Sequence, residues 1–384
     1  MEGEIMERTT AATVGEIERS PWRGRPAKTI FFGGGTPTYL PKDQLVRILE
    51  AVLRVHPPLP GAEITSEANP GTADAEKFRA MREAGFNRIS LGAQSFLDTD
   101  LLRLGRIHRS GEIERAVQIA RDAGFDNLNL DLMFALPGQS RHAWRANLER
   151  ALALQPEHLS LYCLTLEPNT PFYKQHLKGQ LELPDDDEQV AMYNECVDAC
   201  AAASYEQYEI SNFAKPGYEC RHNLCYWNAE EYAGYGPGAV GCTVSHSPPS
   251  KEANGVVDES EVTSNWTQHT PHRESQAHLP SMEEGAPARV RYTNLKHPDR
   301  YCAAVEAGDP LAFDQEQLSA ETQRLERVML GLRLNSGLVV DGLNLSASAI
   351  DRLENRGWIT RDDSAIRLTG EGRHFCSEVA LELI

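Results

Sequence analysis

The chain has 384 residues, 41% of them hydrophobic and 24% charged, with a formal net charge of −18. This composition leaves room for two domains and a sizeable core, and its acidity argues against a nucleic-acid or anionic-membrane surface. No apolar run is long enough to cross a bilayer, and Met1-Glu-Gly-Glu-Ile-Met-Glu-Arg8 lacks the apolar centre of a secretory signal. A cytoplasmic location is expected.

Residues 1–27 are charged and poorly periodic, with a weak helical pattern around Thr13–Glu18. Ile30, Phe31 and Phe32 then read as a buried strand closed by Gly33, Gly34, Gly35 and Pro37. Glycines in that place let the backbone come close to a ligand or make a tight turn into a helix. Pro41 opens an amphipathic helix with Leu45, Ile48, Leu49 and Leu53 on one stripe, and Pro57, Pro58 and Pro60 end it. Ala62–Pro70 reads as a strand. Thr72 is the expected cap of a helix carrying Phe78 and Met81 inward and ending at Gly85. Another strand leads to Gly92, and a helix follows with Ser110 as its cap and Ile113, Ala116, Val117 and Ala120 as its stripe.

The chain then repeats itself. Ala84-Gly-Phe-Asn-Arg-Ile-Ser-Leu91 resembles Ala123-Gly-Phe-Asp-Asn-Leu-Asn-Leu130, and Ala203–Ile210 is a looser third copy. Each copy passes from helix end to strand, the spacing of a βα unit with parallel strands. A strand to Met133, a helix from Ser140 to Leu154 and a strand over Leu159–Leu166 continue the alternation. The fold class is α/β, a (β/α) barrel or a doubly wound sheet. Residues 247–288 have no apolar period and read as a flexible insertion. From Gln315 the chain is helical again, with Leu318, Leu325, Val328, Met329 and Leu332 as a stripe. A helix near Ser346–Asn355 and a hairpin over Trp358–Leu368 complete a small winged-helix pattern in residues 289–384, expected to serve packing or partner binding.

The eight cysteines, Cys163 being the first, form no disulfide framework. Cys196 and Cys200 share a helical face, and Cys220 and Cys225 flank an expected loop. Neither pair has zinc-site spacing, so no metal ligands are assigned.

Polar groups recur at the strand ends: Gly33–Thr36, Glu67, Gln94 with Ser95, Asp131, and Thr165 with Glu167. In a barrel these share one rim, where active sites are built. Carboxylates and an amide around glycine backbone suit a polar nucleoside or amino-acid ligand. The motifs Gly-Gly-Gly-Thr-Pro-Thr, Glu-Ala-Asn-Pro-Gly-Thr, Asn-Arg-Ile-Ser-Leu-Gly-Ala-Gln-Ser-Phe, Leu-Gly-Arg-Ile-His and Asn-Leu-Asp-Leu-Met resemble the radical S-adenosylmethionine family of oxygen-independent coproporphyrinogen III oxidases. His-Asn-x-x-Tyr-Trp, present as His222, Asn223, Tyr226 and Trp227, resembles the signature of the haem chaperone branch of that family.

The resemblance covers residues 28–245 and, more weakly, 289–384. It implies a partial (β/α) barrel over 28–246 lacking its first strand, with a small C-terminal helical domain. It also implies that Gly34, Gly35 and Thr36 line the methionine end of S-adenosylmethionine and that Glu67, Gln94, Arg106 and Asp131 hold its polar groups, with Thr165 and Ala239 near the adenosine. His222, Asn223, Tyr226 and Trp227 would form a haem site. The residues by themselves also allow a turn-bound histidine and a core tryptophan. The implied function is haem binding and delivery to haem-requiring proteins, membrane-associated ones included. The alternatives are oxidative decarboxylation of coproporphyrinogen III and a cluster-free binding module.

One departure stands out. The family holds a [4Fe–4S] cluster on a Cys-x-x-x-Cys-x-x-Cys loop, and thiolates are the ligands such a cluster requires. This sequence has no such loop. Either the cysteine loop is encoded upstream of Met1 or the cluster has been lost, and the persistence of Gly33–Thr36, Glu67, Gln94 and Asp131 favours the first.

Overall fold

The computed structural model describes residues 2–244 and 289–384, so the insertion expected at 247–288 lies outside the described residues. The first part runs α1 (Glu2–Glu18), β1 (Ala27–Phe32), α2 (Lys42–Val55), β2 (Pro58–Ala68), α3 (Ala75–Ala84), β3 (Arg88–Gln94), α4 (Asp98–Arg103) and α5 (Ser110–Asp122). It continues with β4 (Leu128–Phe134), α6 (Arg141–Ala153), β5 (His158–Cys163), α7 (Pro171–Leu177), α8 (Asp186–Ala202), β6 (Glu206–Glu209), β7 (Asn212–Ala214) and α9 (Arg221–Trp227). These seven strands form one sheet in the order β1-β2-β3-β4-β5-β7-β6, curled into a half-barrel.

Strands β1 to β5 are parallel neighbours, as the βα repeats require. The third repeat behaves differently. Strand β6 follows its helix as expected, but the chain turns back at once and β7 slots between β5 and β6, antiparallel to both. A strand alternates its side chains between two faces, and here the two faces differ in chemistry. Ile89, Leu91 and Ala93 of β3, with Leu128, Leu130 and Leu132 of β4, pack outward on Phe78, Met81, Ile113 and Ala116 of the helices. Arg88 and Ser90 of β3, Asn129 and Asp131 of β4, and Ser160 and Tyr162 of β5 point to the concave side. The apolar core therefore lies between sheet and helices, and the hollow of the half-barrel is polar.

Strand β8 (Val240–Val244) pairs with β9 (Arg289–Asn294), which pairs with β10 (Ala312–Leu318). Between the last two lies α10 (Pro298–Ala307), packed on α1. Residues 289–318, grouped by sequence with the C-terminal helices, thus pack against the first part. The C-terminal unit follows as α11 (Ala320–Gly331), β11 (Leu338–Val339), α12 (Ala347–Asn355), β12 (Ile359–Arg361), β13 (Ala365–Leu368) and α13 (Cys376–Leu383). Helix, helix and hairpin appear in the expected order, joined by β11 on β13 and closed over Val328, Leu353, Ile366 and Val379.

Several local expectations change. Helix α1 spans the whole of Glu2–Glu18 because its few apolar residues meet distant partners: Ile17 packs on Ala51 and Val55, and Ala12 on Tyr301 and Cys302. No stripe was needed, so none was legible. Strand β2 begins at Pro58, where Ala27 of the edge strand β1 is its partner and the missing proline N–H is tolerated. The cap of α3 is Asp74, whose carboxylate accepts from Lys77 N at 2.8 Å, while Thr72 bonds to Asn69 O and Thr38 instead. Ser110 is the first residue of α5 and not its cap; its N–H donates to Asp98 at 2.8 Å. Gln315–Leu318 belong to β10, because antiparallel pairing with β9 overrides the helical period, and Met329 of α11 is exposed. Cys220 stands at the cap position of helix α9 and Cys225 lies within it, so they do not flank a loop. Among the described residues no helix is long and apolar enough to cross a membrane.

Candidate functional site

The hollow of the half-barrel holds a cavity of about 430 Å³. Gly35, Thr36, Glu67, Gln94 and Asp131 all line it, so these strand-end residues are brought together, and Arg106, implied by the family resemblance, joins them, while Ser95 and Glu167 do not line it. Gly34 adopts a left-handed φ of 81°, which turns the chain after β1 so that its backbone reaches Glu67. Gln94 also has a left-handed φ, 63°, at a register shift in the β3–β4 ladder. An unbranched non-glycine residue held there costs on the order of 1 kcal/mol and is found where a side chain must be re-aimed. Here the amide faces the cavity.

Asp131 sits deep in this hollow. Its carboxylate accepts from Ser90 Oγ at 3.0 Å and Asn129 Nδ2 at 2.8 Å, yet burial outweighs these bonds and raises its pKa. Glu67 is pushed up to about 7, first by burial and then by the Asp131 charge, against a backbone hydrogen bond from Gly34. Burial lowers the Arg106 pKa, with Asp131 opposing. Two carboxyl groups and an arginine around exposed backbone suit an amino-acid or ribose group, which carries both charges and hydroxyls.

A pH dependence follows from Glu67. Its folded-state pKa is raised, so its contribution to stability is complete below the ordinary carboxyl value and is lost as the pH rises through about 7. The stability of the wild type relative to Glu67→Gln should therefore fall between about pH 5 and about pH 8. Solvent screening reduces the change to roughly 1–2 kcal/mol. Urea melts of both chains across that range measure it, and a flat difference would contradict the assignment.

Helix α9 carries the second set of residues. It lies against β1, and Asn223 alone of the four lines the cavity. The His222 ring stacks on Phe31 with centroids 4.8 Å apart. Its Nδ1 lies 2.9 Å from Thr29 Oγ1 and its Nε2 3.1 Å from Tyr226 Oη. Burial, with Arg88 nearby, pulls its pKa down to about 4, so the imidazole is neutral at physiological pH. Tyr226 packs edge-on against Tyr232. Trp227 lies under the Arg333 guanidinium at 4.4 Å, and its indole Nε1 has no hydrogen-bond partner among the described residues. Thr165, exposed in the loop after β5, and Ala239, in the turn before β8, do not line the cavity.

Sequence reasoning missed Arg88, Ser90, Asn129, Ser160 and Cys220, which also line the cavity. It searched strand ends. The missed signal was the period-two run of polar residues inside the strands, Arg88-x-Ser90, Asn129-x-Asp131 and His158-x-Ser160, on a face that a filled barrel would make apolar.

Comparisons with known proteins place this geometry. Residues 1–151 match the Radical SAM superfamily, and residues 318–375 match the HemN C-terminal domain. The solved structure of coproporphyrinogen III oxidase (HemN) from Escherichia coli, a radical SAM enzyme, overlays the whole chain and 84% of its own length with a TM-score of 0.74 at 19% identity, a likeness of fold. Heme chaperone HemW of Bacillus subtilis is 35% identical over 370 residues, 93% of this chain and 85% of that protein. The chain belongs to the HemW family. Heme chaperone HemW of Escherichia coli is 47% identical over 219 residues, 57% of each protein.

Membership in the radical SAM superfamily implies S-adenosylmethionine and a [4Fe–4S] cluster. The two fare differently here. The cavity offers S-adenosylmethionine carboxyl groups, an amide, an arginine and open backbone. The cluster is not matched: all eight cysteines are single free thiols, and among the described residues no three cysteine, histidine or carboxylate groups gather to hold a metal. Cys220 alone lines the cavity, and burial pushes its thiol up to about 11, away from the thiolate that iron requires.

Proposed function

We propose that this chain binds haem and passes it to haem-requiring proteins, membrane-associated ones included, and that its cavity takes S-adenosylmethionine. The observation that carries the reading is the similarity to Heme chaperone HemW over 93% of the chain, with His222, Asn223, Tyr226 and Trp227 on one short helix beside the cavity. In this reading Gly34, Gly35 and Thr36 hold the methionine end of S-adenosylmethionine, and Glu67, Gln94, Arg106 and Asp131 hold its polar groups. No step is assigned to a cluster, because the chain's residues do not supply its ligands. The oxidase alternative needs those ligands and draws only a likeness of fold from HemN.

His222 suits haem because it is neutral, and a neutral imidazole is a competent iron ligand. Both its ring nitrogens have hydroxyl neighbours, so ligation through Nε2 replaces the Tyr226 contact, while Thr29 at Nδ1 orients the ring. Haem titration into the full chain tests this. His222→Ala should weaken binding by tenfold or more, on the order of one lost coordinate bond, and shift the Soret band. Tyr226→Phe should bind at least as tightly as wild type, and Cys376→Ala should be unchanged. Absence of haem binding by a folded wild-type chain, or an unaltered affinity and spectrum in His222→Ala, overturns the reading.

A further inference from the structure

The floor of the cavity holds a guanidinium with no direct hydrogen-bond acceptor among the described residues. Arg88 enters from β3 with its side chain on the concave face and is 2% exposed. Its Nε is enclosed without a hydrogen-bond partner among the described residues, and no carboxylate comes within the 4.0 Å of an ion pair. The nearest acids are engaged elsewhere. Asp131 accepts from Ser90 and Asn129, and Glu63 accepts from the backbone N–H groups of Arg221 and His222, both at 3.1 Å. Burial works against the Arg88 charge, but Cys220, Glu63, Tyr208 and Asp131 around it favour the protonated form, and the balance is upward. A buried guanidinium keeps its charge and donates five N–H groups in a planar fork, so one without an acceptor is costly. An entering anion removes that cost.

We propose that Arg88 is an anion-binding residue at the floor of the cavity and that its ligand is a carboxylate carried by the molecule that occupies the hollow. A carboxylate fits better than a phosphate because Glu67 and Asp131 line the same space. A doubly charged group would meet both acids, whereas a single planar carboxylate matches the fork in shape and brings one charge. The carboxylate has two sources, the amino-acid end of S-adenosylmethionine or a propionate of haem. The inference rests on the proposed function only for these probes.

Calorimetric titration of the full chain compares S-adenosylmethionine with its decarboxylated analogue, which keeps the ammonium and sulfonium groups, and haem with its dimethyl ester. One pair should show the carboxylate-bearing partner binding on the order of ten- to a hundredfold more tightly, and that pair identifies the source. In Arg88→Gln the discrimination should vanish while the weaker partner of the pair binds as before. Should Arg88→Gln fail to fold by circular dichroism, Arg88→Lys, which keeps the charge without the fork, should lose at least threefold of it. If neither pair discriminates in the wild type, water fills the floor and the inference is overturned. Discrimination that survives in Arg88→Gln, or in full in Arg88→Lys, overturns it as well. Haem that does not bind, beside intact discrimination in the S-adenosylmethionine pair, sinks the haem reading and leaves Arg88 assigned. Haem that binds equally well as its ester, with no discrimination in the other pair, does the reverse.

Discussion

Arg333→Ala should destabilise the protein by about 3–5 kcal/mol, because it strands a buried charge. Glu209 of β6 is wholly buried, and its carboxylate accepts from Arg333 at 3.1 Å, from Ser211 N at 3.0 Å and from the Asn212 side-chain amide. Arg333 follows α11, so this pair ties the C-terminal unit to the half-barrel sheet. The same guanidinium covers Trp227 on α9. Removing it leaves two neutral donors to hold a buried carboxylate and uncovers the indole. Urea melts of wild type, Arg333→Ala and the double variant Arg333→Ala with Glu209→Gln measure the effect. The double variant should recover most of the loss, since it removes the stranded charge. A loss below about 1 kcal/mol in Arg333→Ala would mean that water reaches and solvates Glu209, as at an exposed pair.

Glu63→Ala should weaken the haem binding proposed for α9 without touching any of His222, Asn223, Tyr226 or Trp227. No side chain of the helix caps its own start, since Cys220 occupies the cap position without a capping bond. The role falls to Glu63 of β2, whose two carboxylate oxygens accept from Arg221 N and His222 N, each at 3.1 Å. Losing both bonds should cost about 1–3 kcal/mol and release the helix start from the sheet. His222 would then leave Thr29 and Phe31, which orient its ring. Haem affinity should fall as far as in His222→Ala. Glu63→Gln, which keeps one accepting oxygen, should fall between the two. Wild-type haem binding in a folded Glu63→Ala chain would show that α9 is held by other contacts, such as the Lys28–Glu230 pair at 2.8 Å.

The sequence alone was enough for the alternation of β and α, because each βα unit writes its own signals: an inward stripe and a glycine where the helix ends. Gly85 does end its helix, in the left-handed region at a φ of 117°, whereas the caps expected at Thr72 and Ser110 fall to other residues. The strand-end polar residues were equally legible, since parallel strands must deliver their carboxyl ends to one rim. Glu67, Gln94 and Asp131 meet there.

Only the tertiary structure decided what depends on contacts far apart in the chain. Helix α1 is held by residues around 50 and 300, so its own sequence shows no stripe. Gln315–Leu318 are a strand because β9 lies beside them, whatever their helical period suggests. Strand β7 enters between β5 and β6 because a hairpin return can occupy a sheet position that a repeat pattern assigns to its successor. Arg88 and Glu63 gain their meaning in the same way. Each is one charge in an otherwise ordinary strand until the curl of the sheet turns it inward, to face a cavity in one case and the start of α9 in the other. Burial in a shared hollow is a property of the sheet's curvature, and no local window of sequence contains it.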